Sequence, residues 1–250
     1  EFMNKVKTIA LDVDGVLLDF TRACDEYVKK NLGIEPIKKL DGFNLNFISM
    51  KTRYGLGSDE DVLILLDKMV ADGFYKNIPA LDGVKEAVDK IKSLDYKIIV
   101  ITAIHDGAKN DRLENLKNIL NLVPDEIYCV GMGKSKSQII KEVHPDIFVD
   151  DRMKYLKGGD KVFHSVWVDQ EESQEGDETL VNVHVKSLKE WTDRYLELVT
   201  ENLNEYYEGA HTQIPLKLES VDRKYKESKD KPLPEEEYQE LLKVATHRIR

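Results

Sequence analysis

Short apolar runs that stop at polar residues recur along this chain, and stretches of helical spacing separate them. The first run, Val6 to Leu11, halts at Asp12-Val13-Asp14-Gly15. Lys97 to Thr102 follows, then Glu126 to Val130 closed by Gly131-Met132-Gly133, then Ile147 to Val149 stopping at Asp150-Asp151, and last Val162 to Val168 ending at Asp169. Each run is too short for a helix and rich in β-branched residues, so each predicts a buried strand. Between them the spacing predicts helices over 21–32 with Gly33 as C-cap, 58–70, a segment opened by Asp82-Gly83, 112–122 and 135–143. Strands alternating with helices are βαβ units, and they predict a Rossmann-like three-layer α/β/α sandwich with a mainly parallel sheet.

In such sheets ligands lie outside the carboxyl ends of the strands. Here those ends carry Asp12 and Asp14, Thr102, the Gly131–Lys136 loop, and Asp150 with Asp151. Two carboxylates two residues apart make a poor core but a good set of hard oxygen ligands for a divalent cation such as Mg²⁺. Taken alone, Asp12-Val13-Asp14-Gly15 reads equally well as a solvated turn. Four strand ends that converge on carboxylates, a hydroxyl and a lysine argue against that reading.

Composition narrows the classes. The 250 residues suit one large domain or a core with a smaller accessory one, and 41% hydrophobic residues suffice for a core. A net charge of −10 argues against broad contact with a nucleic-acid backbone, which needs a basic face. Cys24 and Cys129 lie far apart with no metal-ligand or redox spacing, and no His/Cys set suits zinc. With no leader-like segment and no long apolar run, a soluble, cytoplasmic protein is expected.

The motifs together resemble the haloacid dehalogenase superfamily of phosphatases. The first motif stands as Leu11-Asp12-Val13-Asp14-Gly15-Val16, the second as Ile101-Thr102, and the fourth as Asp150-Asp151. For the third, a lysine, Lys134 and Lys136 compete; Lys136, fourteen residues before Asp150, fits the family spacing better. The resemblance covers about residues 5–170. In this superfamily an insertion after the first motif forms a small helical cap. The expected organisation is therefore a catalytic core of 1–19 and 80–185, a cap of 20–79 and a helical C-terminal extension of 186–250. Phe74-Tyr-Lys-Asn-Ile-Pro79-Ala-Leu-Asp-Gly83 and Asp150-Asp-Arg152 resemble the 5'(3')-deoxyribonucleotidase branch.

The resemblance implies a Mg²⁺-dependent phosphomonoester hydrolase. Asp12 would be the nucleophile and Asp14 the general acid and base. Thr102, the Ala103 backbone and Lys136 would bind the phosphoryl group, and Asp12, Asp14 (through its carbonyl) and Asp150 would hold the metal. Asp151 would bind the metal through water or orient Lys136. The implied partner is a small phosphorylated metabolite, with a nucleoside monophosphate first and a sugar phosphate as the alternative. A non-catalytic phosphate-binding protein of the same fold is the rival class. Of the cap aromatics, Phe43, Phe47 and Tyr54 are the candidates for stacking on a base, although most such residues build cap core. Residues 188–206 predict one amphipathic helix, and the polar tail beyond His211 is expected to wrap the core or a partner subunit (a homodimer), or to be partly disordered.

Overall fold

The computed structural model describes residues 6–37, 49–131, 135–156, 162–170 and 176–209. Six parallel strands form one sheet: β1 (Thr8–Leu11), β2 (Lys97–Thr102), β3 (Glu126–Cys129), β4 (Ile147–Asp150), β5 (His164–Val168) and β6 (Val183–Val185). Their order is β3-β2-β1-β4-β5-β6. The order reverses at β1, so the crevice between the ends of β1 and β4 is the switch point where such sheets bind ligands. In register, Leu11 pairs with Val100 on one side and Val149 on the other, which brings the carboxyl ends of the three central strands level.

Period-two alternation divides the strands between two cores. Ile9, Leu11, Ile98, Val100, Ile147 and Val149 face one; Ala10, Ile99, Ile101 and Phe148 face the other. The first face is covered by α4 (Val84–Ser93), α5 (Lys109–Leu120), α8 (Leu188–Arg194) and α9 (Leu196–Tyr207), the second by α6 (Ser137–Val143) and α7 (Met153–Leu156). Helices on both faces make the three layers expected, and the sheet is entirely parallel. The three-residue β6 was not anticipated, because a strand that short carries too little pattern to read.

Between β1 and β2 the chain builds α1 (Phe20–Leu32), α2 (Met50–Arg53) and α3 (Asp59–Ala71). Gly33 caps α1 in the left-handed region, and the Ser58 hydroxyl accepts from Asp61 N at the start of α3. These helices bury a small core of their own: Cys24, Val28, Tyr54, Leu65, Leu66 and Met69. The two connections between this cluster and the sheet pair with each other. Asp19 N donates to Pro79 O (2.8 Å) and Leu81 N to Leu17 O (3.0 Å).

The amphipathic stretch 188–206 is two helices rather than one, broken at Tyr195. Hydrogen bonding continues through the break, since Tyr195 N donates to Trp191 O (2.8 Å) and Val199 N to Tyr195 O (2.9 Å). Leu188, Trp191, Tyr195, Leu198, Val199 and Leu203 are buried in the main core as the spacing predicts, while Tyr206 is exposed. Residues 188–203 are thus continuous with the sheet's own core, and the tail beyond 209 lies outside the described residues. Among the described residues no helix is long and apolar enough to cross a membrane.

Candidate active site

β1 ends in a tight loop. Val16, Leu17 and Leu18 all donate backbone N–H bonds to or across Val13 O, at 3.2, 2.8 and 3.0 Å. Gly15 sits at φ +84°, and a Cβ there would collide with the Asp151 carboxylate. Glycine is therefore required twice, by the backbone and by the neighbouring acid. The Gln170 amide braces the turn by donating to Gly15 O (2.8 Å).

Asp12, at the tip of β1, is nearly buried, and its N–H is held by Val149 O (2.9 Å). Lys136, at the start of α6, is 1% exposed and donates to Asp12 Oδ1 and Asp150 Oδ2, both at 2.7 Å. Lys136 thus lies between the two acids, and Lys134 falls outside the described residues. Burial by itself would lower the Lys136 ammonium, but Asp12 and Asp150 outweigh it and hold the pKa above the usual lysine value. Arg152 N donates to Asp150 Oδ1 (2.8 Å), fixing that carboxylate's second oxygen.

Asp12, Asp150 and Asp151 each offer an oxygen, all within 4.8 Å of one another. Burial, together with the adjacent Asp12, pushes Asp150 up to about 6 and raises Asp151 well above the carboxylate range. A cluster of three hard oxygen donors whose negative charge a single lysine only partly offsets fits a divalent cation. The side chains gathered here differ from the expected set by one: Asp151 joins the cluster, while the Asp14 carboxylate turns away, leaving only its backbone carbonyl for the role foreseen for it.

The Asp14 carboxylate instead meets Arg112 of α5. Arg112 Nη1 donates to Asp14 Oδ1 (2.9 Å) and Nη2 to Oδ2 (2.8 Å), a two-pronged pair. Burial raises the Asp14 pKa despite the opposing guanidinium. Arg112 went unnoticed in the sequence. The signal was present, because Arg112, Leu116 and Leu120 share one helical stripe, and a cation in an apolar stripe is a buried one.

On β2, Thr102 is fully buried, and its Oγ1 has no hydrogen-bond partner among the described residues. A buried hydroxyl left unpaired is costly, and an oxyanion would supply its acceptor. Ala103 and Ile104, the next two residues, form the cavity wall. His105 is exposed and not part of that wall.

The cavity holds about 660 Å³ between the sheet end and the helical insertion. Asp12, Asp14, Lys136 and Asp151 form its floor, and Phe20, Met50, Val62, Leu63 and Leu66 form its far wall. Phe43 and Phe47 lie outside the described residues. Tyr54 borders the cavity but is 3% exposed, and its hydroxyl donates to Asp25 Oδ1 (2.8 Å), so the ring serves the core of the insertion. Arg53 also binds Asp25, and Lys51 reaches Asp59 at 3.9 Å.

A family model described as haloacid dehalogenase-like hydrolase matches residues 6–150, more than half of the chain. The chain belongs to the haloacid dehalogenase-like hydrolases. Among solved structures of similar fold, this hydrolase is 16% identical to a phosphonoacetaldehyde hydrolase-like protein from Oleispira antarctica, covering 83% of this chain and 95% of that one (TM-score 0.51). It is 13% identical to CbbY from Rhodobacter sphaeroides, solved in complex with phosphate, covering 75% and 96% (TM-score 0.49). No match to a curated protein was found by sequence. The match to the hydrolase family ends at Asp150, the last residue of β4.

Proposed function

We propose that this hydrolase is a Mg²⁺-dependent phosphomonoesterase that works through an aspartyl-phosphate on Asp12, with a nucleoside monophosphate as the first candidate substrate. The observation that carries the reading is the floor of the cavity. A nucleophilic carboxylate stands there beside a shared lysine, two further acids able to hold a cation, and a second catalytic carboxylate two residues along.

Asp12 Oδ attacks phosphorus and the bond to the leaving oxygen breaks, with Asp14 delivering a proton to the departing alkoxide. Water then attacks the aspartyl-phosphate, Asp14 takes its proton, and phosphate leaves with Asp12 restored. Lys136 offsets charge on the phosphoryl oxygens, and the unpaired Thr102 hydroxyl is a donor for one of them. Asp12, Asp150 and Asp151, with the Asp14 carbonyl, would hold Mg²⁺, which when bound offsets the repulsion between Asp12 and a dianionic phosphate. Asp14 favours a phosphoester over a carbon–halogen bond: an alkoxide needs a proton in order to leave, and a halide does not.

The cavity volume lies within the range of small-metabolite sites, and its apolar far wall suits a base better than a bare sugar. The test is phosphate release from a panel of nucleoside monophosphates, sugar phosphates and a 3'-phosphorylated oligonucleotide, with Mg²⁺ and with EDTA. Metal-dependent release confined to mononucleotides is the expected result. Release only from sugar phosphates would replace the substrate class, and no release from any member would favour a phosphate-binding protein of the same fold.

A further inference from the structure

We infer that Arg112 is the positioning residue of Asp14, fixing the plane in which the carboxylate meets the leaving oxygen; this rests on the phosphomonoesterase reading above. A guanidinium that is 0% exposed needs a firm partner, and here the partner is a carboxylate whose side chain is 27% exposed and borders the cavity. The pair therefore couples a fixed, water-free cation to an acid that substrate can reach.

The geometry sets what such a pair can do. Two parallel N–H···O bonds fix the orientation of a carboxylate as well as its place, whereas a lysine fixes only its distance. A carboxylate so held keeps lone pairs beyond the two that face the fork, so one oxygen remains able to carry or accept a proton on the cavity side. Arg112 is itself held. Its guanidinium lies 5.1 Å from the centre of the Tyr75 ring, within cation–π range. One turn further along α5, Asn115 accepts from Ile78 N (2.9 Å) and donates to Ile78 O (3.0 Å). The same face of α5 thus grips both the catalytic loop after β1 and the chain returning from the helical insertion. Asp14 takes its orientation from a rigid element of the core, although it stands on a loop.

The experiment compares full-length Arg112→Lys and Arg112→Gln with wild type on two substrates in Mg²⁺. One is a nucleoside 5'-monophosphate, whose alkoxide needs a proton; the other is p-nitrophenyl phosphate, whose nitrophenolate leaves without one. The readout is kcat/KM, which extends only to departure of the leaving group. We expect roughly a 100-fold loss on the nucleotide against a few-fold loss on the nitrophenyl ester, within the range attributed to general acid catalysis. Arg112→Lys should behave much like Arg112→Gln, because a lysine does not restore the fork.

Melting temperature is recorded for each variant. Equal losses on both substrates that follow the fall in melting temperature would overturn the proposal in favour of a purely structural arginine. Full activity of Arg112→Lys on the nucleotide would overturn it too. If wild type turns over neither ester, the phosphomonoesterase reading itself falls, and the role of Arg112 falls with it.

Discussion

Asp25 in the helical insertion and Asp150 at the end of β4 are both carboxylates close to one cavity, yet they live in opposite surroundings. Asp25 is encircled by donors: Arg53 Nε and Nη2 at 2.8 and 2.7 Å, and the Tyr54 hydroxyl at 2.8 Å. Asp150 receives Lys136 and one backbone N–H, but it faces Asp12 and Asp151, and its pKa is pushed up to about 6. Where an acid is saturated by its neighbours, the arrangement is finished and holds the fold. Where acids face one another with few donors between them, mutual repulsion remains that a bound cation would offset. That contrast separates a structural ion pair from a ligand site more securely than burial or proximity to the cavity would.

The most severe way to test the contrast is Asp12→Asn. It should lower turnover on the order of 10⁴-fold or more while leaving the melting temperature equal to or above that of wild type, since it relieves repulsion among the acids. Retained turnover would remove Asp12 from the chemistry. Next, Mg²⁺ at a hundredfold excess over its dissociation constant should stabilise the wild-type protein by about 2.7 kcal/mol, read as a rise in melting temperature. Asp150→Asn should lose most of that rise, and Asp25→Asn should keep it; a rise that survives in Asp150→Asn would place the cation elsewhere.

Asp25→Ala should reverse the pattern. Its loss removes two hydrogen bonds from a largely buried Arg53, at a cost of about 2 kcal/mol in stability given partial exposure, with kcat per folded molecule changed only a few-fold. A collapse of kcat without destabilisation would show that the insertion's ion pair serves catalysis.

The smallest effect expected is on pH dependence. Because the native protein binds the Asp150 proton more tightly than the unfolded chain, that contribution is fully present below about 3.8 and is lost as pH rises through about 6. Denaturant titrations of the metal-free protein between these limits should therefore show stability falling with rising pH relative to Asp150→Asn, by on the order of 1–2 kcal/mol. A matching slope in the variant would mean that Asp150 is not the group responsible.

Five of the sheet's six strands and four of its acids were legible because their signal is local. Ile9 to Leu11, Lys97 to Thr102 and Ile147 to Asp150 each announce a buried strand through a few consecutive residues, and a polar residue stops each run at the sheet end that faces the cavity. Lys136 was pointed to only by the family resemblance, whose spacing to the acidic pair it matches better than Lys134 does. The break at Tyr195 left no mark, because the helical hydrogen bonds run through it and no glycine or proline signals it. Tyr54 had the composition of a base-stacking residue, but Asp25, twenty-nine positions away, takes its hydroxyl.

The sequence by itself determined the layered α/β architecture and which strand ends carry acid, hydroxyl and amine, since these follow from periodicity and from where apolar runs stop. Only the tertiary structure decided how the charges are apportioned. It gave Lys136 to Asp12 and Asp150, brought Asp151 beside them against Gly15, and turned Asp14 to Arg112, ninety-eight residues away in the chain. The physical reason is that electrostatic partnership depends on distance and desolvation in space. A linear pattern records neither until the sheet has brought its ends together.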